Sequence, residues 1–78
     1  MRENEGMDRV TQNKKVLKYM RISGSITTRD AAIDLGIYRL SARIFDLRKA
    51  GYNIVGDWIY NEYGTGTRYV RYRLIEDD

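Results

Sequence analysis

Residues 26–52, ITTRDAAIDLGIYRLSARIFDLRKAGY, decide how this chain is read. Two short helical patterns meet at Leu35-Gly36-Ile37, and the second closes at Ala50-Gly51-Tyr52. In the first, Thr27 or Thr28 is placed to cap the helix, with Arg29 and Asp30 in its first turn. Ala31, Ala32 and Leu35 give it a face of small residues that another helix can approach closely. Gly36 follows the helix at the position that needs a positive φ. The second helix is expected over residues 38–50. At about 100° per residue, Leu40, Ile44 and Leu47 share one stripe, and Ile37 lies over its start. Tyr38, Arg39, Ala42, Phe45, Asp46 and Lys49 point away from that stripe, and Arg43 sits on its border.

Outward from this core, residues 1–10 carry no periodic apolar pattern and read as a disordered lead. Thr11 is the expected cap of a first helix over residues 12–22, with Val16, Leu17 and Met20 buried and Lys14, Lys15, Lys18 and Arg21 outside. Ser23-Gly24 stops it, and Ser25-Ile26-Thr27 reads as a short extended segment. Residues 52–60 are aromatic and β-branched and read as a strand, with a bulge expected at Gly56-Asp57. A glycine-bearing turn over residues 61–67 leads into a return strand, residues 68–75. There Val70, Tyr72 and Leu74 alternate with Tyr69, Arg71 and Arg73. A lone hairpin is marginal in water, so its apolar face should pack on the helices. The expected architecture is α+β: three helices, a short strand between the first two, and a C-terminal hairpin. The domain is expected over residues 11–75, with 76–78 as an acidic tail.

Composition excludes much. The chain has 78 residues, enough for one domain with a small core. It has no cysteine and no histidine, which removes disulfides, thiolate metal sites and the commonest general base. No catalytic constellation, metal site or cofactor site is expected. Gly64-Thr65-Gly66-Thr67 lacks the lysine and the following helix of a phosphate loop. No apolar run approaches the roughly 20 residues of a membrane span, so no membrane role is expected, and the cytoplasm is the expected compartment. The net charge is +3, unevenly placed. Residues 38–75 hold seven basic side chains (Arg39, Arg43, Arg48, Lys49, Arg68, Arg71, Arg73) against three acids, a balance of +4. A basic middle between acidic ends suits an anionic partner, although ordinary solvated charge gives the same composition.

The run over residues 24–54 resembles the small winged helix-turn-helix proteins common in bacteriophage and prophage genomes. The matching pieces are Gly24-Ser25-Ile26-Thr27, Leu35-Gly36-Ile37, Leu40-Ser41-Ala42-Arg43-Ile44 and Asp46-Leu47-Arg48-Lys49-Ala50-Gly51-Tyr52. The resemblance extends from Thr11 to about Leu74; Trp58 to Thr67 departs from any fixed pattern. It implies a winged helix that binds duplex DNA, nucleoid-associated when bound, as a phage-type transcriptional regulator or a recombination accessory protein.

On that reading, Arg39 at the start of the third helix is placed to bond guanine O6 and N7, with Tyr38, Ser41 and Ala42 beside it. Alternatively Arg39 is solvated, or pairs with Asp46. Arg43 suits either a phosphate or an ion pair with Asp46, Asp30 or Asp34. Thr28 is placed to donate to a phosphate or to cap its own helix. Lys49, Arg68 and Arg71 would hold phosphates, with Arg73 and the tyrosines Tyr63 and Tyr69 in the same hairpin; edge protection is the competing role of the hairpin charges. Phe45 and Trp58 are expected in packing. A module this small calls for a homodimer or neighbouring copies to bind tightly. The alternative function is a protein-interaction module of the kind phages use against host defence, such as an anti-CRISPR protein, and exposure of Phe45 and Tyr38 would favour it. RNA binding is a third class.

Overall fold

The structure, a computed structural model, describes residues 8–60 and 68–76. Helix α1 spans Arg9–Ser23. Its cap is Asp8, whose carboxylate accepts the Thr11 N–H at 2.8 Å. That backbone donor also holds the Asp8 carboxyl below its ordinary range. The helix therefore starts earlier than a Thr11 cap would allow. Both residues are cap formers three positions apart, and the longer helix carries Arg9 to an ion pair on a later element. Val16, Leu17 and Met20 are buried, as their spacing requires.

Strand β1, Ile26–Thr27, delivers the chain directly into α2. Thr27 is the cap: its Oγ1 accepts the Asp30 N–H at 3.1 Å, and its own N–H donates to Asp30 Oδ2 at 3.0 Å. This reciprocal box satisfies two backbone donors that the helix start leaves unpaired. Helix α2 opens as α-helix over Thr28–Asp30 and continues with π-type bonding over Ala31–Leu35. The Ala31 carbonyl accepts the N–H groups of both Gly36 and Ile37. Gly36 makes that closure at φ 69°, in the left-handed region that a Cβ disfavours. The tight turn drops Ile37 into the core at 1 % exposure.

Helix α3 spans Leu40–Lys49, two residues shorter at its start than its hydrophobic pattern suggests. Arg39 is its cap residue, with φ −118° and ψ 59°. The Arg39 carbonyl accepts the first helical bonds, from Ala42 at 3.1 Å and Arg43 at 3.3 Å. Leu40, Ile44 and Leu47 are buried together.

Strands β2 (Asn53–Tyr60) and β3 (Arg68–Ile75) pair antiparallel, and β3 also pairs with β1, giving the order β1-β3-β2. The β2–β3 register is unbroken from Asn53↔Ile75 to Tyr60↔Arg68, so the bulge expected at Gly56-Asp57 does not form. Gly56 has a different use. A Cβ there would come to 3.0 Å from Val70 Cγ1 and 3.5 Å from the Tyr72 ring. The missing side chain lets these two lie across β2. The expected turn over residues 61–67 lies outside the described residues.

One core joins all the elements: Val16, Leu17 and Met20 of α1, Ile26 of β1, Ala31, Ile37, the α3 stripe and Ile54. Tyr52, Tyr72 and Leu74 pack at its margin. Arg48 fastens α3 to β2, its Nε and Nη2 donating to the Ile54 carbonyl at 3.1 and 2.8 Å. Its guanidinium lies 5.9 Å from the Tyr72 ring centroid.

Candidate nucleic-acid interface

The face of α3 opposite its buried stripe is where the chain can meet a partner. Ser41, Phe45 and Lys49 recur at a spacing of four and all are exposed. Ala42 lies beside them, half-buried. Tyr38, 66 % exposed, and Arg39 continue this surface ahead of the first turn. Among the described residues Arg39 forms no ion pair, so its guanidinium is available. The Lys49 ammonium lies 5.6 Å from the centroid of the Phe45 ring, within cation–π range.

Phe45 corrects an expectation. It was expected in packing, yet it is 60 % exposed. The position that would have covered it is taken by polar groups of α1, which meet α3 further round the helix at Asp46. Arg9 Nε and Nη2 donate to the Asp46 carboxylate at 2.9 and 2.8 Å, and Asn13 Nδ2 donates at 3.4 Å. Arg43 Nη2 stands 3.1 Å from the same carboxylate, and its Nη1 donates to Gln12 Oε1 at 3.3 Å. The Arg9 hydrogen bonds, and then the charges of Arg9 and Arg43, bring the Asp46 carboxyl down to about 2.

Two consequences follow for charge. Asp46 is the sole acidic residue of α3, and its side chain, 9 % exposed, is occupied by two guanidiniums. The outward face thus keeps the charges of Arg39 and Lys49 with no free carboxylate beside them. Arg43 is withdrawn from that face: its side chain is 15 % exposed and bound to Asp46 and Gln12. Of the two roles open to it, the arrangement matches the ion pair and tells against a phosphate contact.

The hairpin carries a second basic group. The sheet face that buries Ile54 at 5 % exposure loses its helical cover further along, where Trp58 is 57 % exposed. The Arg68 guanidinium stacks 4.5 Å from the Trp58 ring centroid. Trp58, expected in packing, instead supports an arginine in solvent. Arg73 is committed elsewhere, its Nε donating to Asp57 Oδ2 at 2.6 Å. Arg71 stays exposed and shares a cleft of about 730 Å³ with Thr28 and Arg29. Two of the expected phosphate ligands, Thr28 and Arg71, therefore line one cleft beside the β1–β3 pair. The cap itself is Thr27, which leaves the exposed Thr28 side chain free of that duty.

Helix, short strand, two helices joined by a glycine turn, and a hairpin whose return strand pairs with the short one: residues 11–77 match the family described as winged helix-turn-helix domain. The chain belongs to that family. No curated protein and no solved structure matches it. Membership points to DNA as the partner, and the β2–β3 hairpin is the wing of the fold. No helix among the described residues is long and apolar enough to cross a membrane.

Within this frame, Tyr38, Arg39, Ser41, Ala42 and Lys49 lie on one continuous surface of the winged helix, and Arg68 and Arg71 lie on the hairpin. Arg9, Arg29, Phe45 and Trp58 belong to the picture and were not expected there. Arg29 had a signal, since it occupies the first turn beside Thr28. Phe45 also had one, its place off the stripe. Arg9 and the Trp58–Arg68 stack depend on contacts between distant elements and leave no local pattern.

Proposed function

We propose that this winged helix binds duplex DNA sequence-specifically, as a small phage-type transcriptional regulator or recombination accessory protein acting in the cytoplasm. Helix α3 lies in the major groove. Arg39 bonds a guanine edge, Ser41 and Ala42 approach the groove floor, and Lys49, Arg68, Arg71 and Thr28 hold phosphates. The observation that carries this reading is the electrostatic asymmetry of α3: two free cations remain outward while its sole carboxylate is occupied by Arg9 and Arg43. A surface built for an anionic groove needs that arrangement. One module buries roughly 600–1,000 Å² on DNA, so two copies on adjacent half-sites supply tight binding.

The test is a titration of mixed-sequence duplex at low and moderate salt. Affinity should fall steeply with salt, because each phosphate contact releases condensed counterions. Binding that is absent even at low salt ends this reading. The exposure of Phe45 and Tyr38 favours a second one, a protein partner seated on α3. That reading predicts a partner whose capture is lost in Tyr38→Ala or Phe45→Ala.

A further inference from the structure

Phe45 has no part in the electrostatic account above. Its ring is 60 % exposed at the middle of the outward face of α3, four residues from both Ser41 and Lys49. Leaving a phenylalanine in water forfeits the favourable transfer that burial gives. The ring is not adrift, because the Lys49 ammonium lies over it. Ala42, one turn before it, adds only a methyl group. Inside a major groove such a ring has neither donor nor acceptor for the base edges. The apolar feature the groove presents is the methyl group at C5 of a pyrimidine, carried by thymine in unmodified DNA and by cytosine when methylated.

We infer that Phe45 is a specificity-determining residue that reads pyrimidine 5-methyl groups in the major groove, with Lys49 orienting its ring. The inference rests on the DNA reading proposed above. It assigns α3 two kinds of readout. Arg39 selects guanine by hydrogen bonds, and Phe45 selects a neighbouring methylated pyrimidine by removing both ring and methyl from water. Contact with one such methyl is worth about fourfold in affinity. The preferred sites therefore combine a guanine with a methyl-bearing pyrimidine within the same half-site.

The experiment starts from a duplex enriched by the full chain from a random-sequence pool. Three versions are then titrated: the duplex itself, the same duplex with deoxyuridine for every thymidine, and the duplex with 5-methyl-deoxycytidine for every deoxycytidine. Deoxyuridine removes the methyl and leaves every hydrogen-bonding group in place. The expected result is a loss of about fourfold or more on the deoxyuridine duplex if thymine is read, or a comparable gain on the methylated-cytosine duplex if cytosine is. Phe45→Ala should bind the parent duplex more weakly and respond to neither change, whereas Phe45→Leu should keep the response. Since the ring is exposed, both variants should melt with the wild type. Equal wild-type affinity for all three duplexes overturns the inference and leaves the DNA reading standing, as does a response that persists in Phe45→Ala. A chain that enriches and binds no duplex overturns both.

Discussion

The Asp46 carboxylate gathers Arg9 and Asn13 of α1 and Arg43 of α3 around one charge. Its carboxyl titrates at about 2, against an ordinary 3.8, because Arg9 and Arg43 face it. A depressed folded value means that the ionised form is held by the fold. The stabilisation is complete above about pH 4 and is lost as pH falls towards 2. Asp46→Asn cannot titrate, so acid denaturation followed by circular dichroism should show the wild type losing its advantage over the variant across that window. A constant gap between the two would assign the stability to packing. The same substitution leaves the exposed Arg9 guanidinium without a counter-charge, and non-specific duplex affinity should rise as the added positive charge meets phosphates. On the DNA reading proposed above, Arg39 and Lys49 have separate roles. Arg39→Ala should flatten sequence preference and cost about 1–3 kcal/mol on the best site. Lys49→Ala should lower the salt slope by about one unit, and because Lys49 also sits over Phe45, part of the methyl discrimination should go with it.

At the scale of elements, the turn between α2 and α3 and the hairpin make separate demands. Gly36 holds φ 69°, and Gly36→Ala places a Cβ in a left-handed backbone at a cost of about 1–2 kcal/mol. Equilibrium urea unfolding should show this as a lower midpoint. Ile44→Ala in the buried stripe should cost about 2–5 kcal/mol by the same measurement. Replacing residues 61–67 by Asn-Gly connects Tyr60 and Arg68, the last register pair described, by a turn suited to a two-residue hairpin. The shortened protein should fold and bind duplex more weakly, and unchanged affinity would take residues 61–67 out of the DNA contact. These elements were legible because their signals are local: Gly36 after a helical pattern, the Leu40/Ile44/Leu47 stripe, the alternation from Tyr69 to Leu74. The departures were not. Asp8 and Thr11 are both cap formers by residue type, and Asp8 caps α1 by accepting the Thr11 N–H. Whether Gly56 bulges or yields space depends on the bulk of Val70 and Tyr72 opposite it. Phe45 and Trp58 fit packing by composition, and only the position of α1 and the limit of helical cover leave them outside. The outward face of α3 was legible as a helix face, while its charge balance depends on Arg9, a residue that sequence spacing puts in a disordered lead.

Among the described residues, ten buried apolar side chains form the core that joins three helices to a three-stranded sheet. The Arg21 guanidinium binds Glu76 at 2.6 and 3.1 Å, tying the end of α1 to the residue after β3. The core is therefore closed by chain segments from both sides of α3 in the sequence, and α3 is held on a frame that it does not itself complete.

Strand β1 gives that closure a time order. It has two residues, and its partners in β3 are separated from it by most of the domain: Ile26 faces Tyr72 and Thr27 faces Arg71. Strands β2 and β3 are neighbours in sequence, so their pairing carries little chain-closure entropy, whereas the β1–β3 pairing closes most of the domain and carries more. The rate-limiting barrier should then precede the seating of Ile26. In stopped-flow kinetics Ile26→Val should leave the refolding rate nearly unchanged and speed unfolding, whereas Ile44→Val should slow refolding. The small edge strand would thus act as the latch of the fold, governing how long the native state lasts more than how quickly it forms.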